Sequence, residues 1–78
     1  RVPMTRVVLQ ARPRGKAPVW WPRVANRSRW ATVNPDGAGW LVGMHTEYAV
    51  DRDDVDGLRE QFSRENDACR WSFKIVPV

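Results

Sequence analysis

The sequence predicts an α+β domain, a small antiparallel sheet of about four to five strands with one helix packed on one face. Short runs of β-branched and aromatic residues alternate with proline- and glycine-containing segments, which is typical of strands joined by turns. One acidic stretch spaces its apolar residues as a helix does, and the last segment alternates apolar and polar residues. The 78 residues form a single small domain, 1–78, in which residues 1–3 are expected to be disordered.

The first strand is predicted over residues 5–10 (TRVVLQ), where β-branched residues predominate. Residues 11–18 follow as a basic loop, because they place two prolines and a glycine among arginines and a lysine. Residues 19–21 (VWW) form a second extended piece, which Pro22 stops or bulges.

A hairpin is predicted around residues 34–37 (NPDG), where proline, aspartate and glycine stand in the order that a turn with a bulge requires. Its first arm covers residues 29–33. Its second arm begins at residue 39 and is expected to continue as far as Val50. The even-numbered positions of the second arm are the more apolar ones, so they are predicted to face the core.

The same pattern predicts the register of the hairpin, with Asn34 paired to Ala38. Trp30 then lies opposite Val42. Trp30 and Trp40 therefore become diagonal neighbours on one sheet face, where both are expected to enter the core.

A helix is predicted over about residues 52–66, with Asp51 as its N-cap. Val55, Leu58 and Phe62 fall on one narrow apolar stripe, while acidic residues occupy the first turn, where the helix dipole favours them. A half-buried strand over residues 69–76 completes the order β-β-β-β-α-β.

Charge is distributed unevenly along the chain. The first 35 residues contain eight arginines and lysines and no acidic residue, whereas the formal net charge of the whole chain is only +4. Four of the five tryptophans lie within or just after this cationic segment. Arginines interleaved with aromatic residues are typical of nucleic-acid-binding surfaces, although acidic protein surfaces attract the same pattern.

The candidate binding residues come from this cationic half, and they are Arg12, Arg14, Lys16, Trp20, Trp21, Arg23, Arg27 and Arg29. Arginine and lysine would contact phosphates. Trp20 and Trp21 are consecutive, so on a strand they point to opposite faces and only one enters a one-sided core. The other is available to stack on a base. The structural alternatives are an ordinary solvated loop and two small hydrophobic clusters.

Other chemistry has weaker support in the sequence. His45 and Glu47, with Arg29 across the hairpin, form a group that acid–base cleavage of a phosphodiester could use, although a histidine on a polar strand face is commonly a surface residue. The lone Cys69 alternates with Trp71 and is expected to be a small core residue. The sequence contains no spacing typical of metal ligands, a phosphate loop or a catalytic serine, so we expect neither metal nor cofactor.

Two families share parts of this pattern. Residues 24–63, with Arg29-Trp30, the NPDG turn and Trp40, resemble the arm-type DNA-binding modules of tyrosine recombinases and their plant relatives. That resemblance implies a three-stranded sheet in the DNA major groove with a helix behind it, and the terminal strand 69–76 departs from it. Residues 20–22 (WWP) are similar to the Trp-Trp-Pro core of PWWP domains, which bind methyl-lysine and DNA, but the rest of that family's pattern is missing.

These observations lead to three functional hypotheses. The first is a small, non-enzymatic nucleic-acid-binding module of a phage or other mobile element. The second is a protein-binding module, an inhibitor or assembly subunit, that docks its cationic and tryptophan-bearing surface on an acidic protein. The third is a ribonuclease-type toxin that uses His45 and Glu47. We expect a cytoplasmic protein with no membrane partner, able to form a homodimer by placing its acidic helix against the basic half of a second copy.

Overall fold

The computed structural model describes residues 5–15, 29–37 and 39–78. Its regular elements are β1 (Arg6–Arg14), β2 (Ala31–Val33), β3 (Trp40–Val42), β4 (Val50–Asp51), α1 (Val55–Glu65) and β5 (Arg70–Pro77). An antiparallel sheet covered on one face by one helix confirms the predicted fold class. The predicted extended piece 19–21 and residues 1–3 lie outside the described residues.

The long strand β1 is the centre of the sheet. β5 pairs antiparallel with β1 along nearly its whole length, from Val7 opposite Pro77 to Arg14 opposite Arg70. The other edge of β1 pairs with two short strands, β2 near Ala11 and β4 near Val7. β3 pairs with β2 and lies farther out.

β1 continues through residues that the sequence assigned to a loop. Residues 11–14 belong to the strand, so the predicted loop 11–18 is wrong for this part. Pro13 is tolerated because β2 begins only at Ala31, opposite Ala11, so among the described residues no strand lies at the edge beside Pro13 to receive an N–H. Arg12 and Arg14 therefore stand on a rigid strand.

The hairpin forms as predicted, but its register is shifted by one residue. The Asn34 N–H donates to the Gly39 carbonyl at 2.9 Å, so Asn34 pairs with Gly39 and Val33 lies opposite Trp40. The loop is thus one residue longer than predicted, and within it the Asn34 side chain accepts a hydrogen bond from the Asp36 N–H at 2.9 Å. Trp30 and Trp40 consequently lie on opposite sheet faces, which corrects the prediction that they share one.

The second arm of the hairpin ends much earlier than the expected Val50. β3 stops at Val42, because Gly43 adopts a positive φ of 97° that breaks the strand. Residues 43–49 then turn back through a 3-10 turn at Thr46–Tyr48 and lead into β4. Met44 is 49% exposed, so the predicted burial of this even position is wrong.

The helix packs on the face formed by the odd-numbered residues of β1, with Val55, Leu58 and Phe62 buried against Leu9. The ring of Phe62 meets the Trp71 ring edge to face at 4.9 Å. The helical segment covers residues 52–65, in agreement with the predicted 52–66, and its first turn, Arg52–Asp54, is 3-10. Asp51 stands at the predicted N-cap position, but its side chain forms no capping hydrogen bond. No helix in the described part of the chain combines the length and apolarity needed to cross a membrane.

Candidate nucleic-acid interface

The face of the sheet opposite α1, here called the open face, receives the even-numbered residues of the two long strands. Along β1 these include Gln10, Arg12 and Arg14. Their partners on β5 are Lys74, Ser72 and Arg70, in that order. Because cross-strand partners project from the same face, the pairing brings cations from both ends of the chain together.

Trp30 lies at the centre of these cations. The guanidinium carbon of Arg12 lies 4.7 Å from the centroid of the Trp30 ring, and the ammonium nitrogen of Lys74 lies 4.6 Å from it. Both distances are within the range of favourable cation–π contacts. Trp30 precedes β2 whereas Lys74 is on β5, so this contact spans the central strand. We call Arg12, Arg14, Trp30, Arg70 and Lys74 the cationic patch.

No carboxylate neutralises the patch among the described residues. The salt bridges there join Arg59 to Asp56 and His45 to Glu47. Asp51, the partner of Arg6, is at the other end of β1, eight residues or roughly 26 Å from Arg14. Arg14, Arg70 and Lys74 are exposed, and Arg12 is half-buried. The patch therefore presents uncompensated positive charge to solvent.

The acidic residues are concentrated on the opposite side of the molecule. The helical segment 52–65 bears five of them, namely Asp53, Asp54, Asp56, Glu60 and Glu65. All five are exposed. This segment covers the core face and also bears Arg52, Arg59 and Arg64, so its formal charge is −2, whereas the patch on the other face bears four cations and no carboxylate.

Residues 43–49 form a ridge on the open face beside the patch. The Thr32 hydroxyl donates to the Gly43 carbonyl at 2.5 Å and accepts from the His45 N–H at 3.2 Å. The Gln10 amide donates to the Thr32 hydroxyl at 3.2 Å and to the Gly43 carbonyl at 3.3 Å. These bonds explain why Thr32 and Gln10 are 0% and 3% exposed although they point away from the helix.

His45 and Glu47 lie together on the ridge, as their spacing suggested. Nδ1 of His45 is 3.4 Å from the Glu47 carboxylate, and Nε2 is 2.9 Å from the Val42 carbonyl. Both ring nitrogens of His45 therefore face acceptors of the same chain. These contacts connect the ridge to the end of β3 at Val42. Arg29 is exposed and, within the described residues, bonds to neither. The geometry gives no support to a cleaving triad.

The remaining reactive side chain is Cys69, which is half-buried beside the core. Burial raises the pKa of its thiol, which keeps the thiol protonated and weakly nucleophilic. No cluster of metal-ligating side chains occurs in the described ranges.

The sequence-predicted binding residues divide into two groups. Arg12, Arg14 and Arg29 are described, and the first two belong to the cationic patch. Arg29 is exposed and directly precedes Trp30. The other predicted residues lie outside the described part of the chain, and they are Lys16, Trp20, Trp21, Arg23 and Arg27.

Sequence reasoning missed the other members of the patch. Trp30 was expected in the core, but the pairing of β2 with β1, with Thr32 opposite Gln10, places it on the open face instead. Arg70 and Lys74 come from the half of the chain whose net charge is negative. The sequence pattern that indicates their position is the alternation of apolar and polar residues in the last strand. It places both cations on the face opposite Trp71 and Phe73.

The comparisons with known proteins give no match to a family model, a curated protein or a solved structure. What the domain binds is therefore inferred from its own geometry and charge.

Proposed function

We propose that this domain is a non-enzymatic nucleic-acid-binding module, and that the cationic patch of the open face is its binding surface. The observation that carries the proposal is the cross-strand pair Arg14 and Arg70, two exposed like charges beside Trp30 with no carboxylate partner among the described residues. Like charges directly opposite each other destabilise a sheet. A bound phosphate converts the repulsion into two charge-assisted hydrogen bonds.

In this mechanism the arginine forks of the patch grip phosphate oxygens, and α1 with its acidic residues is turned away from the polyanion. The basic residues between β1 and β2 in sequence, among them Lys16, Arg23 and Arg27, add further cationic charge to the chain. Phosphate contacts of this kind provide affinity and little sequence specificity. We also propose a cytoplasmic location, because the single cysteine, Cys69, suits a reducing compartment.

A second candidate, a protein-binding module, is favoured by one observation. Leu41 on β3 is 42% exposed, and Met44 on the neighbouring ridge is exposed as well. Apolar anchors beside positive charge suit an acidic protein partner.

The test is a fluorescence-anisotropy titration with random-sequence DNA and RNA oligonucleotides from low to physiological salt. We expect affinity to fall with salt, with a slope of log K against log salt of about −0.7 to −0.9 for each phosphate that is neutralised. Arg70→Gln should lower both the affinity and the size of the slope. Arg64→Gln, which removes the same charge from an exposed position on α1, is the matched control and should change neither. Absence of binding even at low salt would falsify the nucleic-acid proposal and leave the protein-binding one.

A further inference from the structure

We propose that the ligand of the cationic patch is a single-stranded nucleic acid whose phosphates follow β1 and β5 and whose base stacks against Trp30. This inference rests on the function proposed above and specifies its ligand. Three properties of the open face support it: the spacing of its cations, the ridge that closes one end of it and the position of its aromatic ring.

The first property is the spacing. The cations occupy three successive levels of the β1–β5 ladder, with Arg14 and Arg70 at the first, Arg12 at the second and Lys74 at the third. Successive levels are two residues apart, about 7 Å along a strand. This step is similar to the distance between neighbouring phosphates of an extended polynucleotide strand. A single strand laid along β1 can therefore place consecutive phosphates at consecutive cations.

The second property is the limit that the ridge sets. Residues 43–49 are bonded onto the open face through Thr32 and Gln10, next to the level of Lys74. On the ridge, the Glu47 side chain is 63% exposed and bears a negative charge. A duplex laid on the patch brings a second phosphate strand and a wider body toward this ridge, whereas a single strand needs only the short stretch of β1 and β5 between Arg14 and Lys74.

The third property is the position of Trp30. Its ring is held against the Arg12 guanidinium and the Lys74 ammonium group, so it lies beside the track of phosphate-binding charges. Trp30 is half-buried, so part of it remains accessible to a base linked to a phosphate bound there. In a duplex the bases are already stacked on each other, so an aromatic platform adds affinity only for an unpaired strand.

The experiment compares one labelled strand of mixed sequence, about 16 nucleotides long, with the duplex that it forms with its complement, in both DNA and RNA. Anisotropy at low salt should show that the single strand binds at least about tenfold more tightly than the duplex. Equal or tighter duplex binding overturns this inference and leaves the proposed function standing. Absence of binding to either form overturns both.

Two variants test the role of Trp30. Trp30→Leu keeps an apolar side chain and should weaken binding of the single strand about fivefold or more, and it should weaken duplex binding by clearly less. Trp30→Phe keeps a stacking ring and should retain most of the affinity. Circular dichroism and urea denaturation establish that each variant is folded. Equal losses for strand and duplex in Trp30→Leu, or equal losses in the two variants, overturn base stacking at this position.

Discussion

Arg14 and Arg70 lie directly opposite each other across the β1–β5 ladder, and both side chains are exposed on the same face of the sheet. Side chains of such partners leave the backbone only about 5 Å apart. The two guanidinium groups therefore repel each other in the unliganded domain. This repulsion links folding and binding, because any anion held between them removes it.

Arg70→Gln should consequently affect stability and binding in opposite directions. Loss of one positive charge should raise the free energy of unfolding by about 0.2–1 kcal/mol at low salt. Urea denaturation measures this change, and the same variant should bind oligonucleotides several times more weakly. Salt screens the repulsion, so the stability difference from wild type should shrink as the salt concentration rises. A variant that is less stable than wild type at low salt would contradict the repulsion.

Lys74 should behave in the opposite way, although it belongs to the same patch. Its ammonium group lies against the Trp30 ring, so Lys74→Met should lower the free energy of unfolding by about 0.5–1 kcal/mol. A double-mutant cycle with Trp30→Leu measures the coupling between the two side chains. We expect the cost of Lys74→Met to disappear in the Trp30→Leu background. The same cost in both backgrounds would show that the cation–π contact contributes nothing.

The architecture was predictable because its signals are local. The NPDG turn, the apolar stripe of α1 and the alternation of β5 each depend on residues close in sequence. The wrong predictions concern residues whose structure depends on partners distant in sequence. Pro13 is acceptable in β1 because β2, the described strand on that edge, starts too late to need its N–H, and composition alone cannot show where a neighbouring strand begins.

The candidate site was harder to predict for the same reason. Arg12 and Lys74 are far apart in sequence, and only the pairing of β1 with β5 brings them to one ring. Counting charge by halves of the chain placed Lys74 in an acidic region and hid its role. Whether Trp30 shares a sheet face with Trp40 depends on a single residue in the hairpin loop, which the turn signal alone did not determine.

Thr32 should be essential to the ridge. Its hydroxyl is fully buried and bonds to Gly43, His45 and Gln10, so Thr32→Val leaves three polar groups without this partner. We expect a loss of about 2–4 kcal/mol in the free energy of unfolding, measured in urea. Thr32→Ser keeps the hydroxyl and is the matched control, with a loss of about 1 kcal/mol for the missing methyl group. Similar losses in the two variants would mean that the hydroxyl is not what holds residues 43–49.

Cys69 should make stability depend on alkaline pH. Burial raises the pKa of its thiol in the folded state, so the folded protein holds this proton more tightly than the unfolded chain. The contribution of the protonated thiol to the free energy of unfolding is complete at neutral pH and is lost as the pH rises through the folded-state pKa. Urea denaturation from neutral to alkaline pH should therefore show a steeper decline for wild type than for Cys69→Ala. Parallel declines would show that the thiol is not responsible.

Two glycines should respond oppositely to the same substitution. Gly43 has φ +97°, and a Cβ there meets only the His45 ring nitrogen at 3.9 Å, so Gly43→Ala is limited by backbone strain. We expect it to lower the free energy of unfolding by about 1 kcal/mol or more. Gly57 lies on the exposed side of α1, where a Cβ meets nothing within 4 Å, so Gly57→Ala should raise the free energy by about 0.5–1 kcal/mol. Thermal denaturation of both variants checks the signs, and a stabilising Gly43→Ala would contradict the turn that ends β3.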